Sequence, residues 1–409
     1  MKKNSLVLLA LAALTLAGCG GNAGTSSAAV NSSTTGNSGA STSKAATVTD
    51  LIGLVTDVGS INDHSFNQAC WKGVQDFCTE TGAKSEYKQP SADSTTARVA
   101  SIDALVTDGA KVVVMPGYKF NSTIKVVQDK YPSVLFLAVD CDPSDDDNNW
   151  TPYQFKNNVT SIKYYEHHSG YFAGYAAVKE GYTKIGFLGG MAVPAVAKYG
   201  EGYVAGAEQA AKDMSLADGA ISMNYWYSGT FTPSDTIATK MSSWYTAGTE
   251  VVFSCGGGIY SSCLTAAKAA NKATGTTGAK MIGVDVDQSS ESDLIITSAF
   301  KKMEPLVDQY LTDAYKKLTA GKPTFTADVA AKVVYKGVQD GDVDAGTNAV
   351  GLPTDEGSWR LTKWTIAEYK TFFKAVKAGT PAIPEVTGSE ADPTKAITGL
   401  KKVTVAYDA

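Results

Sequence analysis

From residue 50 onward, short apolar segments of strand length alternate with amphipathic segments of helix length. This order limits the chain to a small set of folds, because repeated strand–helix–strand units build parallel sheets with helices on their faces. Val112 to Met115 is an unbroken apolar run, as expected of a parallel strand buried on both faces. The pattern predicts an α/β protein, and its first set of units comprises strands at 51–55, 112–115 and 134–139 and helices at 65–81 and 120–130.

A second set of units follows an acidic polar stretch at 142–150, which is predicted to be a surface loop. Together the two sets and the tail occupy about 360 residues, more than one hydrophobic core usually supports. We therefore expect two doubly wound lobes, each with a parallel sheet. The second set has predicted helices at 161–179, 194–214, 234–247 and 261–273, and predicted strands at 184–188, 221–227, 250–254 and 280–284.

The segments after residue 290 are expected to pass between the lobes more than once, which makes a multi-crossing hinge. A strand at 297–300 and a helix at 304–318 are predicted to return to the first lobe, and a strand at 329–335 to cross over again. The tail is predicted to hold a helix at 366–378 and a strand at 403–407. The resulting lobes are 48–160 with about 290–327, and 161–289 with about 328–409.

The N-terminus has the order of a targeting segment: two lysines, an apolar run from Leu6 to Ala17, and then Gly18-Cys19. The run is shorter than the roughly 20 apolar residues that span a bilayer. Leu16 to Cys19 resembles the bacterial lipobox, which predicts a signal peptide at 1–18 and lipidation of Cys19. Residues 19–47 are nearly all small and polar, as in a flexible tether. We expect an extracytoplasmic protein anchored to the cell membrane by lipid; an ordinary secretory signal is the alternative.

Charge and composition exclude several classes of function. The net charge is −5 and no block of Lys or Arg is present, which argues against a nucleic-acid partner. With three histidines and no GxSxG motif, the sequence assembles no catalytic site, although a nucleosidase using an Asp cluster as a calcium site stays an alternative. No cofactor or metal is expected, because the adjacent His167 and His168, beside Glu166, point to different faces of a helix.

Five cysteines follow Cys19, without a CxxC pair or zinc-like spacing, and buried free thiols are the simplest interpretation. They are Cys70, Cys78, Cys141, Cys255 and Cys263.

Polar and aromatic side chains follow several predicted strands, where open parallel sheets bind ligands. In the first lobe these are Asp57, with the segment through Asn67, and Asp140. In the second lobe they are the segments 227–231, 255–258 and 285–288. The glycines at 256–258 have the spacing of neither a P-loop nor a dinucleotide fingerprint.

These segments resemble the basic membrane protein family of lipoproteins, which are purine nucleoside receptors of bacterial importers. The resemblance runs from about residue 50 to about 320 and is carried by 56–67, 115–118, 136–140, 170–174, 256–258 and 282–288. It implies a fold like the type I periplasmic binding proteins, a nucleoside bound in the cleft between the lobes, and a monomer that delivers it to an ABC transporter permease. Tyr118, where the family commonly has Phe, and the residues around the glycine triplet depart from the pattern.

The resemblance also implies roles for individual residues. Phe66 and Phe231 correspond to the two rings that sandwich the base, and Asn67 lies beside the first ring. Asp140 corresponds to the carboxylate that holds the polar edge of the base. Because an ionised carboxylate only accepts hydrogen bonds, it selects bases with N–H donors on one edge.

The ribose hydroxyls are implied to bind Asp57 and Asp285, with Lys301 contributing and Gly257 allowing close approach of the backbone. We also expect phosphate to be rejected, since these carboxylates repel it.

Other interpretations of the same residues stay open. Stacking rings and hydroxyl-seeking carboxylates also suit a sugar-binding protein of the same fold, and a surface receptor or adhesin is a further class. Phe66 and Phe231 are alternatively core residues, Asp57 and Asp140 helix N-caps, and Lys301 a solvated surface charge.

Overall fold

The computed structural model describes residues 48–276, 278–316, 318 and 321–409. The predicted signal peptide, the lipidation site at Cys19 and the tether lie outside these residues. Within the described part of the chain, no helix has the length and apolar character needed to cross a membrane.

Strands and helices alternate along most of the described chain, and several helices begin at a side-chain cap. Ser94 and Ser234 accept hydrogen bonds from the backbone N–H groups of Ala97 and Ile237. The helices are α1 (Phe66–Thr81), α2 (Thr95–Thr107), α3 (Asn121–Lys130), α4 (Glu166–Lys179), α5 (Pro194–Asp213), α6 (Asp235–Thr246), α7 (Tyr260–Thr274), α8 (Met303–Lys316), α9 (Ile366–Lys377) and α10 (Pro393–Ala396). The strands are β1 (Leu51–Val55), β2 (Lys84–Lys88), β3 (Ala110–Pro116), β4 (Leu135–Val139), β5 (Ser144–Asp145), β6 (Thr151–Pro152), β7 (Val159–Tyr164), β8 (Lys184–Gly189), β9 (Ile221–Tyr227), β10 (Val251–Cys255), β11 (Lys280–Asp285), β12 (Ile295–Lys301), β13 (Lys332–Lys336), β14 (Val350–Gly351) and β15 (Val403–Asp408).

The first lobe is built on a parallel sheet with the strand order β13-β7-β4-β3-β1-β2. Helices cover both faces. Leu54 packs with α1 and α8 on one face, whereas its neighbour Val55 packs with α2 and α3 on the other. Such alternation is the period-two pattern of a strand buried on both faces.

The second lobe is built on a sheet with the order β14-β12-β11-β10-β8-β9-β15, in which only the short β14 pairs antiparallel within the described residues. Helices α4, α5 and α9 cover one face, and α6 and α7 cover the other. The tail completes this lobe, because β15 pairs along β9 and the aromatic side chains of α9 pack on α4. The two lobes confirm the predicted α/β class with parallel sheets.

The chain crosses between the sheets at three places in its described part. It leaves the first sheet after β7 and enters α4, and it returns between β12 and α8. It leaves again between β13 and β14. All three connections lie where the two lobes adjoin, which gives the multi-crossing hinge that the strand–helix pattern predicted.

Three predicted elements were placed wrongly. Residues 159–164 form β7 of the first sheet, whereas a helix was predicted from residue 161. The segment predicted at 329–335 to cross to the second lobe forms β13, which pairs with β7 in the first sheet. The strand predicted at 297–300 to return to the first lobe is part of β12 in the second sheet, and only the helix after it returns. In each case pairing between strands far apart in sequence decides the position.

The five described cysteines are free and buried, as the simplest interpretation expected. Burial raises the pKa of the Cys78 and Cys263 thiols to about 12. These side chains therefore act as small apolar residues of the core.

Candidate ligand-binding site

A cavity lies between the carboxyl ends of the two sheets, and all eight residues predicted to bind ligand line it. Four of them lie in the first lobe and four in the second. They are Asp57, Phe66, Asn67, Asp140, Phe231, Gly257, Asp285 and Lys301. The structure thus brings together residues that are up to 244 positions apart in the sequence (301 − 57).

Asp57 and Asn67 form a polar group on the first-lobe side of the cavity. The Asn67 side-chain amide donates to Asp57 Oδ1 at 3.0 Å and to Asp63 Oδ2 at 3.0 Å, and the Gly59 N–H donates to Asp57 Oδ1 at 2.6 Å. Burial raises the pKa of Asp57 to about 6 despite these bonds. Gly117, at φ +112°, leaves room for this carboxylate, because a Cβ there would lie 3.1 Å from Asp57 Oδ2.

Asp140 and Asp285 directly follow β4 and end β11, and both adopt the left-handed backbone conformation, with φ of 60° and 67°. Asp tolerates this conformation better than most residues, yet it is uncommon outside glycine. Such outliers cluster at ligand sites, because they turn a side chain out of the strand direction. Here both carboxylates turn into the cavity.

Lys301 at the end of β12 joins these two carboxylates. Its Nζ lies 2.5 Å from Asp140 Oδ2 and 3.6 Å from Asp285 Oδ1, and its side chain is 3 % exposed. The two carboxylates raise the pKa of Lys301 against the opposing effect of its burial, and burial raises the pKa of Asp285. The buried salt bridge excludes the interpretation of Lys301 as a solvated surface charge.

Phe66 and Phe231 reach the cavity from opposite lobes. Phe66 begins α1, and the Lys301 ammonium lies 4.5 Å from its ring centroid. Phe231 follows β9 and packs closely on Gly190, where a Cβ would lie 2.4 Å from the ring. Gly257, at φ +53°, lies beside the same residue, since a Cβ there would be 3.5 Å from Phe231 Cβ. Both rings are half-buried and face the cavity, so neither is fully enclosed in the core.

Glu166 and Lys198 line the cavity beside the Lys301 group, and the sequence did not identify them as ligand-binding residues. In the sequence, Glu166 was considered only beside His167 and His168, where no metal site was expected. Burial lowers the pKa of His167 to about 2, and its ring nitrogens have no hydrogen-bond partner among the described residues. No cluster of potential metal ligands occurs in the described part of the chain.

Direct hydrogen bonds join the lobes at the rim of the cavity. Ser65 Oγ donates to Asp285 Oδ2 at 2.6 Å, and the Gln288 side-chain amide donates to the His64 carbonyl at 3.0 Å. His64 Nδ1 lies 2.9 Å from a Glu291 carboxylate oxygen. These contacts, with the Asp140–Lys301 salt bridge, hold the two sides of the cavity together.

The cavity carries more negative than positive side chains. Six acidic residues and three lysines line it, and each lysine lies within 4 Å of one of the carboxylates. The acidic residues are Asp57, Asp63, Asp140, Asp142, Glu166 and Asp285, and the lysines are Lys163, Lys198 and Lys301. A neutral ligand rich in hydrogen-bond donors suits such a surface, and an anion does not.

Solved structures with the same fold include ABC solute-binding proteins. A solute-binding protein of an ABC transporter system from Aeropyrum pernix K1 superposes with a TM-score of 0.62 over 84 % of both chains, at 20 % identity. Another, from Conexibacter woesei DSM 14684, superposes with a TM-score of 0.59 over 83 % of this chain and 100 % of that one, at 18 % identity. The chain therefore has the two-lobed fold of ABC solute-binding proteins.

The sequence then defines the family. Residues 51–341 match the Bmp family, described as ABC transporter substrate-binding protein PnrA-like. The chain belongs to this family of ABC substrate-binding proteins, which confirms the resemblance drawn from its motifs. A relative from Lactococcus lactis subsp. cremoris (strain MG1363), named ABC transporter nucleoside-binding protein BmpA, is 29 % identical over 314 residues, or 73 % of this chain and 82 % of the relative.

Proposed function

We propose that this protein captures purine nucleosides in the cavity between its lobes and delivers them to the permease of an ABC importer. The observation that carries the proposal is the pairing of an aromatic ring from each lobe with two separate groups of carboxylates in one cavity. A purine nucleoside has parts that match these groups: a flat base that can stack between the rings, and a sugar whose three hydroxyls can donate to carboxylates. The name of the Lactococcus relative agrees with this ligand class.

The base is proposed to stack between Phe66 and Phe231. Stacking of a base on an aromatic ring contributes about 1–3 kcal/mol by alanine substitution. Because the two rings belong to opposite lobes, a base between them contacts both only when the lobes are together. Ligand binding then favours the closed arrangement of the lobes, as a population shift requires.

The polar edge of the base is assigned to Asp57 and Asn67. The family resemblance had implied Asp140 for this role, with Asp57 and Asp285 on the ribose. In the structure Asp285 is grouped with Asp140 through Lys301, and Asp57 is grouped with Asn67. The hydrogen bonds from Asn67 and Gly59 to the Asp57 carboxylate all go to Oδ1 and hold the carboxylate in place, so Asp57 Oδ2 faces the N–H donors on the edge of guanine or hypoxanthine.

The ribose is assigned to the Lys301 group. Asp140 and Asp285 flank one ammonium, so two neighbouring hydroxyls can each donate to a carboxylate while Lys301 donates to a hydroxyl oxygen. Asp140 Oδ1 is buried and has no hydrogen-bond partner within the described residues, which leaves it ready to accept.

The class of protein and the sequence of the N-terminal segment support an extracytoplasmic location. We propose that Cys19 is lipidated after removal of residues 1–18, so that the protein is held at the outer face of the cell membrane beside its permease. We also propose that it works as a monomer. This proposal assigns no catalytic residue. A sugar-binding role is the second candidate, since the Lys301 group alone suits any ligand with neighbouring hydroxyls.

Calorimetric titration of the purified full chain tests the ligand class. Inosine, guanosine and adenosine are expected to bind in the micromolar range or tighter, with uridine and free ribose much weaker. Binding of ribose or galactose without any nucleoside supports the sugar-binding candidate instead. Binding of none of these ligands contradicts both and favours a surface receptor or adhesin.

A further inference from the structure

The side chain of Glu166 is an unusual part of the cavity wall. Glu166 begins α4, and its side chain is 1 % exposed. Its Oε2 has no hydrogen-bond partner among the described residues, and the ammonium of Lys198 is 3.8 Å away, beyond hydrogen-bond distance. A buried acceptor without a donor is costly, and such groups are rare in folded proteins. A hydrogen-bond donor on the ligand removes this cost.

Glu166 adjoins the Lys301 group. The nearby charges that influence the Glu166 carboxyl are Asp140, Lys301 and Lys198, and all three line the same cavity. Three carboxylates therefore lie at this end of the cavity: Asp140 and Asp285 on either side of Lys301, and Glu166 beside Lys198. A ribose unit has three hydroxyls, of which two are neighbours on the ring and the third stands apart on C5′. The three carboxylates thus match the three ribose hydroxyls in number and in their division into a pair and a single group.

We propose that Glu166, with Lys198 beside it, forms a subsite for the 5′-hydroxyl of the nucleoside and excludes 5′-phosphates. In this arrangement the hydroxyl donates a hydrogen bond to Glu166 Oε2. The positive charge of Lys198 favours the ionised form of the Glu166 carboxyl. A 5′-phosphate places about two negative charges against Glu166, with one lysine to compensate. This inference rests on the proposed function and names a contact that selects nucleosides over nucleotides.

A structural role for Glu166 makes a different prediction. A carboxylate in the first turn of a helix interacts favourably with the helix dipole, and its loss lowers stability. Such a loss weakens all ligands to the same extent. A subsite for the 5′-hydroxyl instead changes the order of affinity among ligands that differ only at C5′.

The test uses the purified full chain and three ligands: inosine, 5′-deoxyinosine and inosine 5′-monophosphate. Wild-type protein is expected to bind 5′-deoxyinosine about tenfold more weakly than inosine, since a charge-assisted hydrogen bond is lost. Glu166→Gln, which is nearly the same size, is expected to weaken inosine about fivefold and leave 5′-deoxyinosine almost unchanged. The same variant is expected to bind the monophosphate at least about fivefold more tightly than wild type, because one opposing charge is gone.

Glu201→Gln is the matched control. Glu201 lies on α5 and, like Glu166, is a fully buried carboxyl group. Burial raises the pKa of both Glu201 and Glu166 to about 7, but Glu201 does not line the cavity. The control is expected to bind all three ligands as wild type does.

Two results overturn the inference while leaving the proposed function intact. One is equal affinity of the wild-type protein for inosine and 5′-deoxyinosine, a comparison that needs no variant. The other is an equal loss of affinity for all three ligands in Glu166→Gln. Failure of wild-type protein to bind any purine nucleoside removes the proposed function itself, and this subsite with it.

Discussion

The ammonium of Lys301, on a strand of the second sheet, forms a buried salt bridge with Asp140, which follows a strand of the first sheet. Asp285 Oδ1 lies 3.6 Å from the same ammonium, and Ser65 of the first lobe donates a hydrogen bond to Asp285 Oδ2. One buried cation thus links the ends of two neighbouring strands of the second sheet, β11 and β12, to the end of β4 in the first sheet. The same group is part of the proposed ribose site and part of the contact between the lobes.

Replacing Lys301 with Met is expected to destabilise the protein by about 3–5 kcal/mol, because it leaves two buried carboxylates without their cation. The loss is expected to shrink at low pH, where the Asp285 carboxyl, whose pKa is raised by burial, takes up a proton. Urea unfolding measures it. Lys156→Met removes an exposed ion pair with Asp129 and should change stability by less than about 1 kcal/mol. An equal loss of stability in Lys301→Met and Lys156→Met contradicts the claim that the buried Lys301 salt bridge stabilises the protein.

Binding of inosine is expected to weaken as the pH falls through about 6. Burial raises the pKa of Asp57 to about 6, against the Gly59 and Asn67 hydrogen bonds and with Asp63 and Lys119 as the neighbouring charges. Below that pH the carboxyl is protonated, so it loses its charge, becomes a weaker acceptor for the N–H groups of the base and carries an O–H donor; affinity therefore rises with pH. Calorimetry between about pH 5 and about pH 7.5 measures the change. Asp57→Asn should abolish this part of the dependence, and an unchanged profile in that variant contradicts the assignment.

Gly190→Ala is expected to weaken nucleoside binding without unfolding the protein. The new Cβ would lie 2.4 Å from the ring of Phe231, so the ring has to move out of its stacking position. Loss of part of the stacking contribution of about 1–3 kcal/mol corresponds to about a tenfold weaker affinity. Gly357→Ala is the control, since Gly357 is exposed and a Cβ there meets no atom within 4 Å. Wild-type affinity in Gly190→Ala argues against Phe231 as a stacking ring.

Glu208→Ala is expected to release the final strand of the second sheet. The Glu208 carboxylate accepts hydrogen bonds from the backbone N–H groups of Lys401, Lys402 and Val403. Removing it leaves three donors at the start of β15 and costs about 2 kcal/mol or more. Hydrogen exchange at 403–408 should accelerate, whereas the exposed Glu356→Ala should leave it unchanged. Unaltered protection of β15 in Glu208→Ala excludes this role.

The sequence predicted most strands and helices of both lobes, because buried parallel strands are continuous apolar runs. It missed β2, whose residues Lys84–Lys88 are mostly polar and partly exposed at the edge of the sheet. It also missed α2, whose apolar residues lack a clear helical stripe. Residues 159–164 were taken into the following helix, since only pairing with β4 and β13 defines them as a strand.

The site was predictable to the extent that strand ends are predictable. Asp57, Asp140 and Asp285 were identified because each stands where a parallel strand ends. Their grouping was not, because the salt bridge between Lys301 and Asp140 joins residues 161 positions apart. Glu166 could not be identified in this way, because it does not follow a strand end in the predicted pattern. It begins a helix just after the first crossing between the lobes.

The most direct test is a crystal structure of the purified protein grown with inosine. The account predicts a purine ring between Phe66 and Phe231, its polar edge at Asp57 and Asn67, and a ribose against Asp140, Lys301 and Asp285. An empty cavity at saturating inosine, or inosine bound elsewhere on the surface, would contradict the proposal that the protein captures purine nucleosides between its lobes.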